Sequence, residues 1–430
     1  MKKYDNYKNS GVEWLGEIPE HWEVKKVFHY FKAEKGKNAA ILTKDYCGKI
    51  EGKFPVYSGQ TENNGIMSSI NQFEFDFEDD GCLFTTTVGA KAMTVSFLKS
   101  KFSLSQNCMI IVKRKKEIYS KFYFYHFQPI FHFFRSQIPD HMQASFRMED
   151  LYKLKFYLPP FQEQTAIANF LDDKTTKIDQ AIAIKQQQIE LLKERRQILI
   201  HKAVTRGLNE NVKLKDSGVE WIGEIPEHWE LSPLRHIGKT QNGISKGGES
   251  FGTGYPFVSY GDVYKDIQLP ETIYGLVEST NEDRIQYSVL EGDILFTRTS
   301  ETVEEIGFSS TCLKTIENAT FAGFLIRFRP KKNKLNKEFS KYYFSSSTHR
   351  AFFIKEMNLV IRASLSQDLL KRMPVLLPPF PEQEEIGKYL NNTTIKIATA
   401  ISLKEQEIEK LKEYKMSLID GVVTGKVRVS

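Results

Sequence analysis

The chain has 430 residues, 27% of them charged and 40% hydrophobic, a globular composition rather than a fibrous or disordered one, and its net charge of +6 permits a polyanionic partner without requiring one. Cys47, Cys82, Cys108 and Cys312 have no CxxC pairing and no histidine at metal-ligand spacing, which argues against a disulfide framework or a zinc site. No apolar run approaches the roughly 20 residues of a membrane helix, and the opening MKKYDNYKN has no apolar segment to act as a signal, so a cytoplasmic protein without membrane contact is expected.

After a polar start, SGVEWLGEIPEHWE occupies Ser10 to Glu23 and returns at Ser217 to Glu230 as SGVEWIGEIPEHWE, changed only where Leu15 becomes Ile222. Trp14, Leu15, Ile18, Pro19 and Trp22 surround turn-forming Gly11 and Gly16, which predicts a packed clasp rather than a long helix. From Val24 to Tyr157 the runs FPVYSG, GCLFTTTV, MTVSFL and CMIIVKRK read as strands. The aromatic stretch KFYFYHFQPIFHFF, Lys121 to Phe134, reads as core rather than a base-stacking surface, with its helix interrupted at Pro129.

A second repeated block begins at Leu158 as LPPFQEQTAIANFLDDKTTKID and at Leu377 as LPPFPEQEEIGKYLNNTTIKIA. The prolines stop a strand and suit a first helical turn, where Glu163 complements the dipole. In the helix that follows, Ile178, Ile182, Lys185, Ile189, Leu192, Arg196 and Leu199 alternate spacings of four and three. Ile397, Ile401, Lys404, Ile408, Leu411, Lys415 and Leu418 repeat that coiled-coil seam. Two such seams most simply bury one another as antiparallel helices of about 60 Å, although each could instead pack on its own domain. AVTRGLNENVKLKD, residues 203–216, links the first helix to the second clasp, and the runs YPFVSYGDV, GDILFTRTS, EEIGFSS and FAGFLIRFRP read as strands of a second α/β domain. The last helix ends near Gly421 or Gly425, and symmetry predicts that this end lies near the first clasp.

The expected fold is therefore mixed α/β, with two tandem domains joined by two long antiparallel coiled-coil helices in a pseudo-two-fold repeat. Its segments are residues 1–157, 158–209, 210–376 and 377–430. No catalytic constellation is apparent. LPPF lacks the polar residue that holds a target amine in an adenine methyltransferase. FGTG, Phe251 to Gly254, reads as a turn, and IGKT, Ile237 to Thr240, lacks the first glycine of a phosphate loop. His21 and His228 read as structural hydrogen-bonders.

The paired clasps, the paired LPPF(Q/P)EQ helix openings and the variable domains between them resemble the specificity subunit of type I restriction-modification systems, across essentially the whole chain. The resemblance implies that each domain is a target-recognition domain reading one half of a bipartite site in double-stranded DNA. It also implies that the helices set the spacer and dock two methyltransferase subunits, with restriction subunits completing the complex. This chain would bind no cofactor; S-adenosylmethionine, ATP and magnesium would serve the partner subunits. The rival readings are a modification enzyme with an unrecognised active site and a two-headed scaffold without sequence readout.

Groove recognition needs donors and acceptors at base edges and cations on phosphates. Candidates in the first domain are Gln60, Asn63 and Asn64, then Thr86 and Lys91, then Gln143, Ser145 and Arg147. In the second they are Ser259, Tyr260 and Asp262, then Arg298 and Thr299, then Arg362 and Ser364. QASFR and RASLS lie at equal distances ahead of their LPPF blocks, which marks a shared loop. Each candidate is weighed against an ordinary surface polar residue. The basic runs Lys113 to Lys116 and Arg327 to Lys334 are possible phosphate contacts or solvated faces.

Overall fold

The computed structural model describes residues 2–429 apart from 13–15, 61, 140, 300–305, 347–350, 354 and 357–364; Trp14, Leu15, Arg362 and Ser364 lie outside the described residues. The chain divides into two compact units, Met1–Lys185 with Glu405–Ser430, and Gln186–Lys404. Both long helices are shared. Phe161–Arg206 begins in the first unit and ends in the second, whereas Phe380–Val423 does the reverse.

In the first unit a four-stranded antiparallel sheet has the order Phe31–Glu34, Cys108–Lys113, Cys82–Thr86, Val95–Leu98. Strand alternation sends Leu83, Met109 and Ile111 into a core shared with the aromatic helix Ser120–Ser136. Cys82, Phe84, Cys108 and Ile110 face the other way, into a core shared with Phe102 and Leu104 of a second sheet. The central strands carry unbroken apolar runs, Cys82–Phe84 and Cys108–Val112, because both of their faces are covered. The second sheet orders Ile66–Ile70, Glu51–Tyr57, Lys101–Leu104 and Phe75–Asp76, with its middle pair parallel.

The second unit repeats this layering. Gly238–Asn242, Leu325–Pro330, Ile294–Thr297 and Ser309–Thr311 form the antiparallel sheet, and Phe251–Val258 pairs in parallel with Thr320–Phe321 in the other. Ile294, Phe296, Ile326 and Phe328 face the helix side, while Leu295 and Leu325 face the second core.

All ten hydrophobic seam positions of the two long helices are buried or half-buried, whereas Ile184, Leu191 and Ile198, off the seam, are exposed. In the first unit Ile178 and Ile182 share a core with Leu411 and Leu418. Lys185 Nζ reaches Glu407 at 2.5 Å and Lys415 Nζ reaches Asp179 at 2.7 Å, a pairing that descends on one helix as it climbs the other, so the helices run antiparallel there. Lys185 and Lys415, which interrupt the seam, thus place their charges on the facing helix. In the second unit Ile200, Ala203 and Val204 share a core with Ile386 and Leu390.

Each clasp is a short antiparallel hairpin, Tyr7–Asn9 with Glu17–Pro19 and Leu214–Asp216 with Glu224–Pro226. As symmetry predicts, the chain end lies against the first clasp: Arg428 N–H donates to Lys2 O at 2.8 Å and Tyr7 OH to Gly425 O at 3.0 Å. Gly207, one past the end of the first long helix, and Gly425, two past the end of the second, both have φ of +75°. A Cβ at Gly425 would stand 2.4 Å from Pro19, and one at Gly207 would stand 2.8 Å from the Glu382 carboxylate and 3.3 Å from Trp229, so the turn and the close approach both require glycine.

Three local expectations are corrected. The helix Ser120–Ser136 runs through Pro129 without interruption, because burial of Phe122, Tyr123, Tyr125, Phe127, Ile130 and Phe131 outweighs the roughly 3 kcal/mol that an internal proline costs. The SYGDV part of the second-domain run is a helix, Tyr260–Tyr264, not a strand. FGTG belongs to the strand Phe251–Val258, whose register shifts between Phe251 and Tyr255.

Candidate nucleic-acid interface

Each reading domain is fixed to the long helices by the repeated Glu-Gln of the helix opening. Trp22 Nε1–H donates to Glu163 Oε2 at 3.1 Å and His21 Nε2–H to the same oxygen at 2.9 Å. Trp229 and His228 do the same to Glu382 Oε2 at 3.1 and 2.8 Å. The neighbouring glutamine grips the domain instead. Gln164 accepts from Tyr119 N–H and donates to the carbonyls of Glu117 and Pro159; Gln383 accepts from Asn336 N–H and donates to Lys334 and Pro378. A tyrosine of each domain helix completes the attachment, Tyr125 on Asp172 and Thr175, Tyr342 on Asn391 and Thr394.

On this support the first unit opens a cleft lined by Lys35, Lys37, Thr87, Asn107, Ser145 and Arg147, among others. The QASFR loop runs beside the core strand as an extra extended segment: Phe146 N–H donates to Thr87 O at 2.8 Å and Gly89 N–H to Ala144 O at 3.0 Å. Alternation then buries Ala144 and Phe146 and leaves Gln143, Ser145 and Arg147 exposed. Among the described residues the charged groups of Lys35, Lys37 and Arg147 have no ion-pair partner.

The other first-domain candidates are placed differently. Thr86 is buried and donates its hydroxyl to Lys91 O at 2.5 Å, so it cannot face a groove; the cleft-lining neighbour is Thr87. Gln60 and Asn63 donate their amides to Ile66 O, tying their own loop, while Asn64 and the Lys91 ammonium are exposed away from the cleft.

The corresponding cleft of the second unit brings together Ser259, Tyr260, Arg298 and Thr299 with Lys246 and Phe324. Ser259 and Asp262 are spent on each other as the capping box of the helix Tyr260–Tyr264, with the Ser259 hydroxyl 2.6 Å from Asp262 Oδ2. The Tyr260 ring stacks on Tyr264. Lys246 pairs with Asp283 at 2.9 Å, which leaves Arg298 as the cation of this cleft without an ion-pair partner among the described residues.

The basic runs are not phosphate-facing as a whole. Arg327 is buried, donates to Ser288 O and Gln241 Oε1, and is pushed down to about 10 by burial. Arg329 grips buried Asp293 through two bonds of 2.7 Å, and Lys113 pairs with Asp80. These side chains secure a sheet and leave little charge for a polyanion.

A family model for the type I restriction modification DNA specificity domain matches residues 19–194 and again residues 226–413. The chain belongs to that family. It is a type I specificity subunit with two DNA specificity domains in tandem. The MjaVIII specificity subunit of Methanocaldococcus jannaschii is 27% identical over 424 residues, covering 96% of this chain and 94% of the relative. The MjaX specificity subunit of the same organism, described as putative, is 25% identical over 452 residues, covering 99% and 98%. Among solved structures, a chain from work on complex assembly and conformational transition of the type I R-M system aligns with a TM-score of 0.70 at 14% identity, over 95% of this chain and 99% of that one. The HsdS subunit from Thermoanaerobacter tengcongensis aligns with a TM-score of 0.54 at 14% identity, over 95% and 98%. At such identity the likeness is one of fold.

Sequence reasoning about this specificity subunit missed Lys35, Lys37, Thr87, Asn107 and Phe324 in the clefts, and the partnership of the His-Trp and Glu-Gln repeats. The second was signalled by both pairs surviving unchanged in both halves. The equal spacing of QASFR and RASLS from LPPF did locate the first-domain loop.

Proposed function

We propose that the subunit reads a bipartite site in double-stranded DNA, one half with each cleft, and that it contributes no catalytic group of its own. Two methyltransferase subunits dock on the shared helices, restriction subunits complete the complex, and S-adenosylmethionine, ATP and magnesium are bound and used by those partners. The observation that carries this reading is the contrast between an identical attachment, Trp22, His21 and Glu163 against Trp229, His228 and Glu382, and clefts of different chemistry. Identical supports suit partners of one kind, while dissimilar clefts suit two different base sequences.

Cations without ion-pair partners among the described residues, Lys35, Lys37 and Arg147 in one cleft and Arg298 in the other, provide attraction to phosphate that weakens as salt rises. Sequence is then read at base edges by the side chains between them. Selection from a random duplex pool by this subunit assembled with its methyltransferase subunits tests the reading. Two short motifs at a fixed non-specific spacing are expected. A single contiguous motif, equal affinity for all duplexes, or methylation by this chain with S-adenosylmethionine alone would each refute it.

A further inference from the structure

The two clefts share one backbone device that identifies which side chains differ between the readers. At the exit of the core strand of the first unit, Thr87 N–H donates to Asn107 O at 2.8 Å and Thr87 O accepts from Phe146 N–H at 2.8 Å. In the second unit Arg298 N–H donates to Phe324 O at 2.9 Å and Arg298 O accepts from Leu365 N–H at 2.8 Å. Phe146 and Leu365 are both buried, and each lies the same distance ahead of its LPPF block, so the same three-stranded clamp is built twice. Residue 87 occupies the place of residue 298, and residue 107 that of residue 324.

What the clamp presents is different. Thr87 is small and nearly buried, so the first clamp offers mainly Asn107, which is exposed and whose amide makes no hydrogen bond among the described residues. The positive φ of Asn107, 62°, turns it out of the adjoining strand. The second clamp offers the guanidinium of Arg298 beside Phe324, a residue that is 64% exposed. A phenylalanine that open is costly to leave in water and suits an apolar surface such as a thymine methyl or an unstacked base step.

Resting on the proposed DNA reading, we infer that these clamp residues are specificity determinants: Asn107 pairs with an adenine edge in one half-site, and Arg298 with a guanine edge in the other, with Phe324 against the adjacent base. An amide matches the donor and acceptor of adenine, and a guanidinium fork matches the two acceptors of guanine. Arg298 is held by backbone hydrogen-bonded on both sides and Asn107 by the bond of its carbonyl to Thr87 N–H, which fixes where the two side chains reach.

The test is duplex selection with the assembled complex carrying wild-type subunit, Asn107→Ala, Arg298→Ala, Arg298→Lys or Phe324→Ala. Asn107→Ala is expected to relax one adenine position in one half-site, and Arg298→Ala one guanine position in the other, each by about 5- to 150-fold in discrimination. Arg298→Lys keeps the charge but loses the fork, so it should relax that guanine while holding affinity at low salt. Phe324→Ala should relax the neighbouring position. Uniform weakening with an unchanged motif for Arg298→Ala, or an unchanged motif for Asn107→Ala, overturns the inference while the bipartite reading stands. Absence of any bipartite motif with the wild-type subunit refutes that reading itself.

Discussion

Set side by side, the two units agree where they grip the long helices and differ where they open to solvent. The clasp tryptophans, the glutamates that receive them, the glutamines that hold the domain and the glycines that end the helices all recur with matching partners. Within the grip the match breaks at a few places, and each break gives a handle on one unit alone. The lesson is that a duplicated chain keeps its joints under tighter geometric constraint than its reading surfaces.

The largest effect should come from the shared joint itself. Trp22→Ala and Trp229→Ala each empty a fully buried site and are expected to destabilise their own unit by about 3 to 5 kcal/mol. Chemical denaturation followed by hydrogen exchange should show the loss concentrated in the unit mutated; equal loss in both units for either variant would mean that they do not open separately.

Acid should separate the units next. His126 is fully buried, accepts a hydrogen bond from Tyr157 N–H at Nε2, and is pushed down to about 3 from the ordinary 6.5 by burial. In the second unit the equivalent amide, Leu376 N–H, is met by the Tyr343 hydroxyl, which takes no proton in this range. Between about pH 6.5 and 3 the unfolded first unit binds a proton that the folded one does not, so stability falls with pH by up to about 1.4 kcal/mol per unit and is flat above 6.5. Hydrogen exchange at pH 7 and pH 5 should therefore show the first unit losing about 2 kcal/mol through His126, against a smaller loss in the second from His201, which burial also holds below its ordinary value. Parallel losses would remove His126 as the cause.

A smaller difference should separate the two glutamates. Glu163 also accepts from Tyr4 OH, a donor that the second clasp lacks because Asn211 stands at the matching position. Glu163→Ala should cost about 1 kcal/mol more than Glu382→Ala, the net worth of one further hydrogen bond. Thermal melts of the two variants measure it, and removing Tyr4 should abolish the excess.

The joints and the seam were legible because they are written literally, as repeated words and a heptad spacing that survives into burial. The clefts were less so. Thr86 is a candidate by its place in the run LFTTT, but Thr87, one residue on, lines the cleft, because a step of one residue along a strand exchanges the two faces. Arg327 and Arg329 looked like a basic run because their partners, Ser288 and Asp293, are about forty residues away in sequence. Ser259 and Asp262, by contrast, carry a capping-box spacing that the sequence displays openly. The bond from Trp22 to Glu163 joins residues 141 apart, and only the parallel survival of both words hinted at it.

The shared ownership of each unit has a consequence for fragments. A polypeptide stopping after the first long helix keeps the socket formed by Pro19 and Trp22 but not the Ile419, Val422 and Gly425 plug that fills it. Its own terminus, through Ile200, Ala203 and Val204, carries nearly the same plug. Such a fragment cannot satisfy itself, and a twin copy is the natural donor. Two identical readers would then be paired, and the sequence they addressed would be a palindrome.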